Sequence, residues 1–185
     1  MKKQHLNRIL TIAAVLFTVA TLQSCSKLAT KLLNFNLSMQ TETINVDVPP
    51  TGGNISVGPM TTNYNVDSFV RASTAGQLGA ANISSVKLTS CVITINNPSI
   101  ANNFGNFESC SASFYSNTDT NPYTVNIANN PNSYATTLNL PVDQTELASY
   151  IGNQFTYSLA GKLRRPTTTT LHCTVTFTYS VNVQG

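Results

Sequence analysis

Residues 171–183 read Leu-His-Cys-Thr-Val-Thr-Phe-Thr-Tyr-Ser-Val-Asn-Val. Every odd position is apolar or aromatic and every even position is polar. A period of two is the signature of a β-strand with one face in a core and one in water. Immediately upstream, Phe155, Tyr157, Leu159 and Leu163 alternate with Thr156, Ser158, Ala160 and Lys162. Folding the two runs about Thr167 sets Leu163 against Leu171, Leu159 against Val175 and Tyr157 against Phe177. The expectation is a long terminal hairpin with one face buried.

The same rhythm recurs upstream. Phe35, Leu37 and Met39 alternate with Asn36, Ser38 and Gln40; the phase flips at 41–43, and Ile44, Val46 and Val48 take over. A one-residue flip implies a bulge or a break between strands. Pro49-Pro50-Thr51-Gly52-Gly53 is a turn, and Ile55 and Val57 begin a short strand that Gly58-Pro59 should end. Val86 to Asn96 is apolar on both faces, as a central strand would be. Phe107–Tyr115 is expected to be its antiparallel partner. Tyr123, Val125 and Ile127 form another strand, Asn129-Asn130-Pro131-Asn132 a turn, and Tyr134, Thr136, Leu138 and Leu140 a further strand. Two short helices are expected. In the first, Asp67 caps a turn that Gly76 stops, a reading preferred over a strand through Tyr64, Val66, Ser68 and Val70. In the second, Asp143 and Glu146 form a capping box ahead of Leu147, Tyr150 and Ile151, with Gly152-Asn153 as the stop. Many short strands with Pro, Gly and Asn turns indicate an all-β chain. The expected fold is an antiparallel β-sandwich, immunoglobulin-like in the broad sense, with one or two short helices.

The N-terminus carries an address. Lys2, Lys3 and Arg8 precede an uncharged apolar run, Ile9–Ala20, that is shorter than the about 20 residues needed to span a bilayer. Leu22-Gln23-Ser24-Cys25 follows. This stretch resembles the lipobox of bacterial lipoproteins, with Gln23, a variant familiar in Bacteroidetes-type members, in place of a small residue. The resemblance implies a signal peptide at 1–24, a diacylglyceryl-modified Cys25 as the new N-terminus and a tether at 25–34. The sandwich domain is then 35–185. Ser26 in place of Asp implies sorting to the outer membrane. The absence of acidic residues just after Cys25 favours its periplasmic face. One acyl chain binds membranes marginally, and two or three bind durably. A second and fainter resemblance lies at Asn96-Asn97-Pro98, where a strand runs into Asn-Pro as in the LEA14/WHy β-sandwich family.

Cleavage changes the charge. Removing residues 1–24 from the 185 leaves 161, enough for one domain, and takes three of the ten Lys and Arg with it. Seven basic residues then balance seven acidic ones, so nothing favours nucleic acid as a partner. Cys25 aside, Cys91, Cys110 and Cys173 remain. Cys91 and Cys110, on neighbouring expected strands, have the option of a disulfide in an oxidising compartment, although two packed thiols are preferred. Cys173 is expected in the core.

No catalytic constellation stands out. His172, on the polar face of its strand, has no G-x-S-x-G partner. Because it neighbours Cys173, the two face opposite sides of the strand and cannot share a zinc ion. Asn117, Asp119 and Asn121 repeat the first spacings of a calcium loop, but Pro122 and Ala128 occupy the glycine and glutamate positions. No metal or cofactor is expected. Arg164-Arg165-Pro166 is read as a solvated tip. Asp67, Glu108, Asp119, Asp143 and Glu146 would have to converge in a groove for hydrolysis. The sequence therefore points to a non-enzymatic, lipid-anchored envelope protein that binds a partner or supports structure. Its candidate contact loops are 97–106 and 116–132. The alternative is a carbohydrate-binding or adhesin-like module using Tyr115, Tyr123 and Tyr134.

Overall fold

The computed structural model describes residues 34–185, and within them the alternating runs become strands. In chain order these are β1 (Asn34–Val48), β2 (Asn54–Asn63), α1 (Val66–Ser73), β3 (Ile83–Ile95), β4 (Phe107–Ser116), β5 (Tyr123–Ile127), β6 (Thr137–Leu140), β7 (Gln154–Leu163) and β8 (Leu171–Gln184). Cys25 and the signal and tether assignments lie outside the described residues. The strands form two antiparallel four-stranded sheets, ordered β1-β8-β3-β6 and β2-β7-β4-β5. β1 pairs with β8, β2 with β7, β3 with β6 and β4 with β5. The chain thus resembles one long ribbon folded at its middle. It is then rolled so that β8 also meets β3 and β7 also meets β4. The expected antiparallel sandwich is present, and its connectivity is that of a jelly roll.

The terminal hairpin is the main correction. β7 and β8 belong to opposite sheets and face each other across the core. Tyr157 does meet Phe177, with ring centroids 5.2 Å apart, but from sheet to sheet. Two facts explain this. Both edges of β7 are occupied, by β2 and β4. The connection at 164–170 is long, and it bonds elsewhere: Arg164 and Arg165 N–H to Asn106 O, Thr167 N–H to Thr51 O, and Thr168 N–H to Asn102 Oδ1. For the same reason β4 is not the partner of β3. β3 is central, as expected, but lies between β8 and β6.

Two breaks turn out to be bulges. The phase flip in β1 is a register shift between Ser38 and Gln40 within one continuous strand. β2 likewise runs through Gly58-Pro59, with a shift between Val57 and Met60. β2 is an edge strand, where proline at a bulge forfeits no ladder bond. Gly58 is required there. Its φ is +112°, and a Cβ would lie 2.8 Å from the Tyr157 carbonyl oxygen.

α1 forms where the first helix was expected, but its N-cap is Asn65, whose side chain accepts from Ser68 N–H. Asp67 sits in the first turn, paired with Arg71 at 2.6 Å and accepting from Ala80 N–H. Val70 packs with Leu78, Val181 and Val183 in a small cluster. The second helix is reduced to a 3₁₀ turn at Ala148–Tyr150. Glu146 accepts from Ser85 Oγ–H at 2.6 Å and Val86 N–H at 2.7 Å instead of closing a capping box. Leu147 N–H donates to Val86 O. Docking along β3 satisfies these groups better than a free helical turn would.

The three described cysteines are free thiols, all buried. Cys91 and Cys110 lie on opposite sheets, so the neighbouring-strand pairing is corrected. Burial pushes the Cys91 and Cys110 thiols up to about 12 and the Cys173 thiol up to about 11. A Cys25→Ser variant should therefore give almost no reaction with a thiol-specific reagent at neutral pH while folded. All three thiols should react in denaturant. Two missing thiols in denaturant would indicate a disulfide.

Candidate functional site

A cleft of about 70 Å³ lies between the sheets at the end covered by α1 and the 147–151 turn. It is several times larger than the roughly 15 Å³ that one water needs. Its walls are aromatic. Tyr179 comes from β8, Phe114 from β4, Phe155 and Tyr157 from β7, and Phe69 from α1. Tyr64, just before α1, leans on Phe69 with centroids 6.3 Å apart. Behind this wall Phe114 is the hub of a ring cluster. Its centroid is 5.4 Å from Tyr150, 5.9 Å from Phe177 and 5.9 Å from Tyr179, in edge-on arrangements.

One charged group faces this apolar space. Glu42 shares its side of β1 with buried Ile44, Val46 and Val48, and stands opposite Phe177 in the register. It is partly buried and lines the cleft. Two hydroxyl oxygens are also stranded: Tyr179 Oη and Thr62 Oγ1 are buried without a hydrogen-bond partner among the described residues. The Tyr157 hydroxyl is near enough to interact with both, but without hydrogen-bond geometry. Burial, with the charge of Glu42 adding to it, pushes the Tyr64 hydroxyl up to about 12. Burial likewise raises Tyr157 and Tyr179, and Glu42 again contributes.

The residues singled out in the sequence are scattered. His172 is exposed and pairs across the strands with Asp47, Nδ1 to Oδ1 2.7 Å. Asn117 Oδ1 accepts from Asn153 and Gln154 N–H, while Asp119 takes Ser149 Oγ–H and Asn121 N–H. No group of three potential metal ligands converges among the described residues. Glu108 pairs with Lys162, and Asp143 accepts from Tyr123 Oη–H and Thr145 N–H. With Asp67 and Glu146 bound as described, the five carboxylates have separate partners.

Arg164 and Arg165 are not a free tip. Arg164 donates to the carbonyls of Gly105, Phe107 and Asn130, and Arg165 to that of Gly105. The loop at 97–106 turns inward, with Asn102, Asn103 and Asn106 buried and only its first part exposed. It lies at the end of the sandwich away from the cleft. The loop at 116–121 flanks the cleft, because Thr118 Oγ1–H donates to Ser149 and Ile151 carbonyls. Tyr115 faces out from β4, Tyr123 packs on Phe114, and Tyr134 is exposed near β6, so the three form no shared platform. Sequence reasoning missed Glu42, Tyr157 and Tyr179 as site residues. The signal was there: a carboxylate and two phenols occupy core-phase positions of their strands.

No family model matches this chain, and no curated protein matches it. Among solved structures, a protein of infectious bursal disease virus (Gt strain) is similar, at 12% identity and TM-score 0.38 over 83% of this chain. A protein of Desmodium yellow mottle tymovirus is similar at 9% identity and TM-score 0.28, covering 80% of this chain and 88% of its own. A Bacillus endospore appendage protein follows at 8% identity and TM-score 0.22, covering 81% and 90%. This chain spans about 33% of the bursal disease virus protein. Likeness at this level concerns strand arrangement and carries no functional argument.

Proposed function

We propose that this chain is a lipid-anchored protein of the bacterial cell envelope with a non-catalytic role in binding or structural support. The observation that carries the reading is Leu22-Gln23-Ser24-Cys25 behind a basic and apolar leader. Cys25 is the lipidation site, and the anchor holds the sandwich on the outer membrane, at its periplasmic face. No helix among the described residues is long and apolar enough to cross a membrane. The cleft supports binding as the role: it is concave, aromatic and contains a few polar groups, the usual composition of a small-molecule site.

The test is Cys25→Ala in a bacterial host. The wild-type chain should fractionate with membranes and have the mass of an acylated chain starting at Cys25. The variant should lose the lipid mass and shift almost entirely out of the membrane fraction. A soluble, unmodified wild type would overturn the anchor.

A carbohydrate-binding or adhesin-like role is the second reading. A shallow hollow beside the cleft is lined by Tyr64 and the amides of Asn63, Asn65, Asn117, Asn153 and Gln154. Amides and a tyrosine are suited to sugar hydroxyls. Saturable binding on a glycan array would promote this reading, and its absence would remove it.

A further inference from the structure

We infer that the cleft between the sheets is a site for a small primary amine with an apolar body, its ammonium group held by Glu42. This rests on the binding role proposed above and is independent of the anchor.

Glu42 is the starting point. A carboxylate among apolar groups is costly unless a cation or donors compensate it. The ion pairs among the described residues join Arg71 to Asp67 and Lys162 to Glu108, the side chain of His172 meets that of Asp47, and Glu42 is in none of these contacts. A neutral or anionic ligand would leave that charge uncompensated, and an ammonium group would neutralise it. The walls favour the same charge, because phenol and phenyl faces attract cations through their ring quadrupoles. Tyr179, whose Oη is buried without a hydrogen-bond partner among the described residues, lines the same cleft. A primary ammonium has three N–H groups to share between Glu42 and Tyr179. A quaternary ammonium has none, so the stranded hydroxyl selects the primary amine. The cleft volume, about 70 Å³, restricts the ligand to a small free molecule.

Four of the seven tyrosines (Tyr64, Tyr150, Tyr157 and Tyr179) line the cleft and the chain has no tryptophan, so tyrosine emission reports directly on it. The purified full-length chain is titrated with propylamine, which is small enough for the cleft, and with propanol, its neutral counterpart. The amine should give saturable changes, and the alcohol should bind at least about tenfold more weakly, the difference a desolvated cation–π and carboxylate contact provides. Glu42→Gln should weaken the amine about tenfold and leave the alcohol unchanged. Tyr179→Phe should also weaken the amine without lowering thermal stability, since it removes an unsatisfied buried group. Equal binding of amine and alcohol, or an unaffected Glu42→Gln, overturns the amine assignment while leaving the cleft a binding site. No saturable change with either ligand overturns both.

Discussion

Phe114→Ala is expected to destabilise the fold by about 3–5 kcal/mol, the range for emptying a large buried aromatic site. The ring is 2% exposed and sits in edge-on or tilted contact with five others: Tyr123, Tyr150, Tyr157, Phe177 and Tyr179. It projects from the second sheet onto β8 of the first, so its loss weakens the contact between layers. Those neighbours are themselves held in β-strands with core-phase side chains, and they cannot collapse far into the gap. For a chain of this size each kcal/mol lowers the melting temperature by about 2–4 °C, so the fall should be roughly 6–20 °C. Thermal melts followed by circular dichroism measure it. Ile100→Ala is the matched control, because Ile100 is 94% exposed and its removal should change stability by no more than about 0.5 kcal/mol. A melting temperature for Phe114→Ala within error of wild type would mean that the aromatic cluster does not join the sheets. Phe114 also backs the cleft, so the same variant should loosen Tyr179 and Tyr150, and any ligand affinity should fall with it.

That the two sheets meet through these rings was half legible in the sequence. Alternation states which side chains share a face, and the inward residues of β5, β7 and β8 follow from it. It does not state which strand lies alongside. Tyr157 and Phe177 were expected to meet and do meet, but a hairpin partner and a partner across the core give the same pattern of inward residues. The discriminating facts are the bonds of the 164–170 connection to Asn106, Thr51 and Asn102, which follow from the folded chain. Asp143 and Glu146 show the same limit. Their spacing encodes a capping box locally, yet the edge of β3 offers Glu146 stronger partners. Glu42 is the opposite case. Its position in phase with Ile44, Val46 and Val48 was visible in the sequence, and only an account of each strand's inward charges would have drawn attention to it.

The Asn-rich loops were expected at the surface, and the second large prediction comes from where they went instead. Asn130→Ala should cost about 1–3 kcal/mol, because its truncation removes two buried hydrogen bonds at once. Asn130 is 5% exposed, and its Nδ2 donates to Phe104 O at 2.7 Å and Phe107 O at 3.1 Å. Those carbonyls bracket the 3₁₀ turn Phe104–Asn106 that begins β4, and they have limited access to water. The backbone of Asn130 is tied as well, N–H to Glu108 O and carbonyl to the Arg164 guanidinium. One amide therefore closes the end of the sandwich opposite the cleft by doing for an irregular segment what a sheet ladder does for a strand. Asn129 and Asn132 flank it in sequence and are exposed. Their alanine variants should stay within about 0.5 kcal/mol of wild type, so urea titration of the three variants separates a structural amide from a solubilising one. Equal effects at all three positions would make the asparagines of this loop a surface feature after all. A selective loss at Asn130, with the tyrosine signal of the cleft unchanged, would show that the two ends of the sandwich serve different purposes: one is fixed by amides, and the other is left open around Glu42.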